Sequence, residues 1–146
     1  MTEAPTEPTL TFLLDVDNTL LDNDRAKDEI DRRLGALLGD AGRVRFWATY
    51  EAVRRDEGMV NVPLTLARFE GTADDPAHPP LPRATRDALA DLWMGFPYAP
   101  FLYPAALEAI AHLRRLGRVA ILSDGDPAFQ PSKIWRAGRA DAVAGA

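Results

Sequence analysis

The chain of 146 residues has no cysteine, only two histidines and no excess of basic side chains. Without cysteine there is no disulfide and no thiolate metal site, an absence that is neutral about compartment. His78 stands in a proline-rich loop and His112 on the exposed side of a helical pattern, so neither a Ser-His-Asp arrangement nor a zinc spacing is available. Seventeen Lys and Arg against 22 Asp and Glu give a net charge of −5, and the pairs Arg54-Arg55 and Arg114-Arg115 are short and interleaved with acids. That balance argues against a nucleic-acid partner. No apolar run approaches the ~20 residues that span a bilayer, and residues 1–9 have neither the basic region nor the apolar core of a signal peptide. The expectation is a cytoplasmic protein with no membrane partner and a flexible N-terminus at 1–9.

What is present is an ordinary globular composition, 47% hydrophobic and 27% charged, which excludes disorder throughout. The segment Phe12-Leu-Leu-Asp15-Val-Asp17-Asn-Thr19-Leu-Leu21 carries the most information. An apolar run, expected as a strand buried on both faces, ends in two carboxylates two residues apart. Open α/β sheets build their sites at the carboxyl ends of strands. An Asp inside an apolar run is costly to bury unless paired or metal-bound, so Asp15, and with it Asp17, is a candidate for function rather than a polar turn. A calcium loop is excluded, because Leu20 stands where it needs Gly and Ala26 where it needs Glu.

Helical spacing follows at once. Asp24 is placed to cap a helix whose stripe is Ala26, Ile30, Leu34 and Leu37 or Leu38, ending at Gly39. Residues 43–57 predict a second helix with Val44, Trp47, Tyr50 and Val53 on one face. Gly71 to Pro82 is a loop, since its prolines cannot serve a helix interior. Ala84 to Phe96 predicts a helix burying Leu89, Leu92, Trp93 and Phe96. Pro104 suits the first position of a further helix, with Ala106, Ile110 and Leu113 inward and Gly117 as its end. Arg118 to Ser123 then reads as a short buried strand that can lie parallel to the first, bringing the two carboxyl ends together. Pro131 fits the start of a last helix, with Lys133 in its first turn.

The run Asp15-Val-Asp17-Asn-Thr19, an apolar strand ending in Ser123, and Lys133 ten residues later resembles the first three motifs of the haloacid dehalogenase superfamily. The resemblance implies an α/β fold: a partial Rossmann-like core from 10–21 and 101–146, with a helical cap, 22–100, inserted between the first and second strands. It also implies Mg²⁺-dependent hydrolysis of a small phosphorylated metabolite. Asp15 would be the nucleophile and a metal ligand, because an ionised carboxylate attacks a phosphoryl group without a separate base when a cation offsets the repulsion. Asp17 would ligate the metal through its carbonyl and act as general acid and then general base. Ser123, with the backbone amides of Asp124 and Gly125, would hold phosphoryl oxygens. Lys133 would contact the phosphate, neutralise developing charge and orient Asp15. Thr19 would brace the loop.

One departure from the family stands out. The superfamily's fourth motif is an acidic cluster after a later strand, and here the only acid after Lys133 is Asp141. The expectation is a chain that stops after the third motif, binds Mg²⁺ weakly through Asp15 and Asp17, and self-associates through an incomplete sheet. The reading of a different class is an impaired relative that works only through binding or assembly.

Overall fold

The computed structural model describes residues 10–71 and 79–122. Their order is β1 (Thr11–Leu14), α1 (Asn23–Glu57), α2 (Val62–Phe69), α3 (Arg83–Met94), a 3₁₀ turn at Ala99–Phe101, α4 (Ala106–Leu116) and β2 (Arg118–Ile121). The strands are adjacent and parallel, with Thr11 opposite Arg118 and Leu14 opposite Ile121. All of the described helices lie between them in sequence, so a helical insert separates two neighbouring strands of one sheet, as expected. The two carboxyl ends lie side by side.

Period-2 alternation decides what the sheet buries. Phe12, Leu14 and Val16 turn towards packed residues, while Leu13 is 62% exposed. The expectation of a strand buried on both faces is therefore corrected: one face is covered, and Leu13 and Leu122 stand open on the other. Gly117 permits the strands to meet. A Cβ there would lie 2.3 Å from the Leu10 carbonyl oxygen, which accepts a 2.9 Å hydrogen bond from Arg118 N. Its backbone is extended, so the constraint is close approach rather than a left-handed conformation. Gly117→Ala is expected to push the strands apart and cost roughly 1–3 kcal/mol, seen as a lower denaturant midpoint; an unchanged midpoint would remove this role.

The insert is built on a folded-back helix. Gly39, at φ 70° and ψ 172°, breaks α1 into arms of 23–38 and 40–57, a conformation that glycine adopts without steric cost. The arms run antiparallel and are clasped by Asp31. Its carboxylate accepts from Trp47 Nε1 at 2.7 Å and from Arg43 Nη1 at 2.9 and 3.0 Å, and these bonds, Trp47's first, hold it below the ordinary Asp range. The first arm buries Ala26, Ile30 and Leu34 as its spacing predicts. On the second arm Val44 is 62% exposed and Phe46 is fully buried, so the predicted stripe is shifted. Phe46 stacks on Trp93 at 5.6 Å and meets Phe69 edge-on at 5.1 Å, contacts that outweigh the smaller Val44 face.

Other expectations move by a residue or two. The cap of α1 is Asp22, whose side chain accepts from Arg25 N, and Asp24 lies inside the first turn. Pro104 precedes α4, which Ala105 caps. Helix α2 has no counterpart in the predicted elements. It is set by Asn61, whose side chain accepts from Leu64 N at 2.9 Å, and by Pro63 in its first turn. The buried cluster runs without interruption from Val16 and Leu21, beside the acids, through Phe46, Phe69 and Trp93 of the insert.

Candidate active site

Six residues after β1 form a closed turn. The Val16 carbonyl accepts from the amides of Thr19, Leu20 and Leu21 at 3.3, 3.0 and 2.9 Å, and Asn18 N donates to Leu21 O at 2.7 Å. Val16 and Leu21 are buried and anchor the turn, so the alternate residues Asp15 and Asp17 are presented at the carboxyl end of the strand. Asp15 is exposed and Asp17 half-buried. Thr19 Oγ1 donates to Asp15 Oδ2 at 3.3 Å, a bond that braces the turn. Asn18 is the one non-glycine residue with positive φ, 59°, among the described residues.

The insert joins this turn at two places. From the first arm, Asn23 N and Asp24 N donate to Asn18 Oδ1 at 2.9 and 3.3 Å, and Asn18 Nδ2 donates to Asp24 Oδ1 at 3.3 Å. From the second arm, Tyr50 comes near enough to feel the charge of Asp17. Burial pushes the Tyr50 hydroxyl up to about 12; Glu51 adds to the rise, Arg54 opposes it, and Asp17 adds further. Because the folded value lies above the ordinary 10.0, the stability this group contributes is complete below pH 10 and is lost as pH rises towards 12. Tyr50→Phe is expected to flatten the alkaline fall in melting temperature over that window; an identical fall in both proteins would contradict it.

Between the arms lies a cleft of about 370 Å³ lined by Asp24, Lys27, Asp28, Asp31, Trp47 and Glu51. It starts at Asp24, which is bonded to the acidic turn. Among the described residues no three His, Asp or Glu side chains converge as a metal site, and no helix is long and apolar enough to cross a membrane. The hard oxygens of Asp15 and Asp17 nevertheless suit Mg²⁺, which takes one or two carboxylates and completes its shell with water and phosphate. Leu122 N donates to Leu14 O at 2.8 Å, so β2 finishes beside the strand that leads to Asp15. The remaining predicted site residues, Ser123, Asp124, Gly125 and Lys133, lie outside the described residues, as do His78, Asp141 and the predicted last helix. Asn18 and Tyr50 were not singled out by sequence as site residues. An asparagine in the turn of an acidic motif was the available signal for the first, since Asn tolerates left-handed backbone.

A haloacid dehalogenase-like hydrolase of Burkholderia xenovorans LB400 superposes on the chain with a TM-score of 0.76 and 33% identity, over 92% of this chain and 58% of that one. The chain belongs to the haloacid dehalogenase superfamily. Its fold is the superfamily's α/β core in part, with a helical cap between the first and second strands. The HAD-hydrolase YfnB of Bacillus subtilis, in a structure bound to magnesium, matches with a TM-score of 0.55 at 20% identity over 91% of this chain and 61% of its own. L-2-haloacid dehalogenase of Xanthobacter autotrophicus matches with a TM-score of 0.52 at 20% identity, over 91% and 54%. The chain thus spans between about half and two thirds of the length of these proteins. No family model and no curated protein matches it.

Proposed function

We propose that this chain carries the nucleophile half of a Mg²⁺-dependent phosphomonoester hydrolase acting on a small phosphorylated metabolite. The observation that carries the reading is the pair Asp15 and Asp17, presented by a closed turn at the carboxyl end of β1, beside the end of a parallel neighbour. In this reading an Asp15 oxygen attacks phosphorus and the bond to the leaving oxygen breaks. That oxygen takes its proton from Asp17, leaving an aspartyl-phosphate. Asp17 then removes a proton from water, which attacks the phosphorus and releases phosphate and Asp15. When bound, Mg²⁺ would be held by the Asp15 carboxylate and the Asp17 carbonyl and would offset charge on the phosphoryl oxygens. Ser123, the amides of Asp124 and Gly125, and Lys133 are assigned to the same phosphate.

The cleft of about 370 Å³ falls within the range of small-molecule sites. Its acidic lining disfavours a phosphate inside it, so the phosphate belongs at Asp15 and the leaving group towards the cap. YfnB, described with bound magnesium, is consistent with that cofactor, whereas the Xanthobacter enzyme is a dehalogenase. The test is therefore two assays of the purified protein, a general phosphate ester with and without Mg²⁺ and a 2-haloacid. Metal-dependent phosphate release alone supports the proposal; halide release alone replaces it. A second reading, a binding or assembly role through self-association, draws on the open face that carries Leu13 and Leu122. It becomes the better one if neither assay gives turnover from folded protein.

A further inference from the structure

The first turn of any α-helix leaves its leading amides without intrahelical acceptors. In α1 they are satisfied in an unequal way. Asp22 N reaches the Phe101 carbonyl at 2.8 Å, and Arg25 N reaches the Asp22 side chain at 3.1 Å. The other two, Asn23 N and Asp24 N, are both taken by one atom outside the helix, Asn18 Oδ1. The amide nitrogen of the same side chain closes the loop on Asp24 Oδ1. A residue standing between Asp17 and Thr19 therefore supplies half of the acceptors for the leading turn of the cap.

The backbone is shaped for this. At φ 59° Asn18 is left-handed, a region where most side chains are strained and Asn is tolerated. There its own N–H is tied back to Leu21 O at 2.7 Å. A hydrophobic residue at this position would leave two amides to water and remove the hydrogen bonds between the turn and the start of α1. Other connections lie further along the chain: Asp22 N to Phe101 O at 2.8 Å and Tyr103 N to Leu20 O at 3.0 Å, and the Arg25 guanidinium to Pro100 O at 2.8 Å. These hold the two linkers and the start of α1 to each other without touching the residues flanked by Asp15 and Thr19. The side chain of Asn18 supplies the hydrogen bonds from the first turn of α1 to the acidic turn.

We propose that Asn18 is a positioning residue, whose side chain sets the attitude of the cap helix α1 on the Asp15–Thr19 turn and so aligns the cleft at Asp24 with the reacting carboxylates. Its kinetic consequences rest on the phosphatase reading; its mechanical ones do not. Asn18→Gly keeps the left-handed backbone and removes only the side-chain bonds, so the protein should fold. Asn18→Asp keeps the acceptor oxygen but sets a carboxylate against Asp24 Oδ1, so it is combined with Asp24→Asn, whose amide can donate back across the same pair. The cysteine-free chain allows spin labels at two introduced sites, Asp40→Cys at the hairpin tip and Glu108→Cys on α4.

In Asn18→Gly the distance distribution between the labels should broaden, and amide exchange at Asn23 and Asp24 should accelerate by about tenfold, as for loss of one bond of about 1.4 kcal/mol. The pair Asn18→Asp with Asp24→Asn, which keeps the acceptor and reverses the donor, should restore the protection and the narrower distribution. With phosphate esters, Asn18→Gly should raise KM more than it lowers kcat while inhibition by inorganic phosphate is unchanged, since the phosphate end of the site is intact. Unaltered label distances and amide exchange in Asn18→Gly would overturn the proposal, whatever the enzyme assays give. If the mechanical results hold but wild-type protein releases no phosphate, the positioning role stands and the phosphatase reading falls.

Discussion

Asp15→Asn is expected to abolish Mg²⁺-dependent phosphate release while leaving the fold unchanged. The side chain is exposed at the end of β1, and its one contact of note, the 3.3 Å bond accepted from Thr19 Oγ1, can be accepted equally by an amide oxygen. Structure gives no reason for the variant to unfold. Chemistry gives a strong reason for it to fail, because the neutral amide is a poor nucleophile towards phosphorus and a weaker ligand for a hard cation. Removing the nucleophile of a covalent mechanism costs at least about 10⁴-fold in kcat. Single-turnover assays with circular dichroism on the same sample separate loss of chemistry from loss of fold. Turnover within tenfold of wild type, in protein free of deamidation, would exclude an aspartyl-phosphate.

The sequence made this prediction possible because a strand followed by two acids is written in adjacent residues. The same is true of the helices of the insert, whose apolar spacing survives in Ala26, Ile30 and Leu34 and in Leu89 and Trp93. The pairing of β1 with β2, far apart in sequence, is legible for another reason, the rule that governs crossovers between parallel strands. Legibility failed where side-chain partners are distant in sequence. Phe46 displaces Val44 from the core only because Phe69 and Trp93 come to meet it. The eight-residue α2 buries Val62, Thr65, Leu66 and Phe69 at helical spacing, but it is only about two turns long, with a threonine in the stripe, and its start is marked by Asn61 and Pro63.

The open face of β1 follows from what packs against it, and an apolar run cannot specify that. Asn18's grip on α1 is made to residues five and six positions on, whereas the approach of Tyr50 to Asp17 depends on a helix folding back at Gly39. Spacing signals the break but not the direction of return. Membership of the superfamily rests on the Burkholderia structure at 33% identity, whereas the roles of Ser123, Asp124, Gly125 and Lys133 remain with the resemblance of their motifs.

Replacement of Asp17 by Asn should slow the reaction by about 10²- to 10⁴-fold, the range of general acid-base assistance, and should do so unevenly across substrates. An ester with a good leaving group departs without a proton, so its first step should be slowed little, and loss of the base for attacking water should let aspartyl-phosphate accumulate. An alkyl ester needs the proton, and its first step should bear the full loss. Mg²⁺ affinity should change little, because the ligand assigned to Asp17 is a carbonyl that the substitution retains. Asp17 is half-buried, and the Asp17–Leu21 bridge is made by backbone, so the turn should persist. The variant also removes a negative charge near Tyr50, one of the causes of its raised value. Tyr50 should then ionise at somewhat lower pH, a shift that phenolate absorbance reads without any substrate. Burst kinetics on an activated and an unactivated ester, beside that titration, test both halves of the assignment. Equal slowing of the two esters with no burst would take the acid-base role from Asp17, and an unmoved Tyr50 titration would take away the electrostatic influence of the acidic turn on the second arm of the cap.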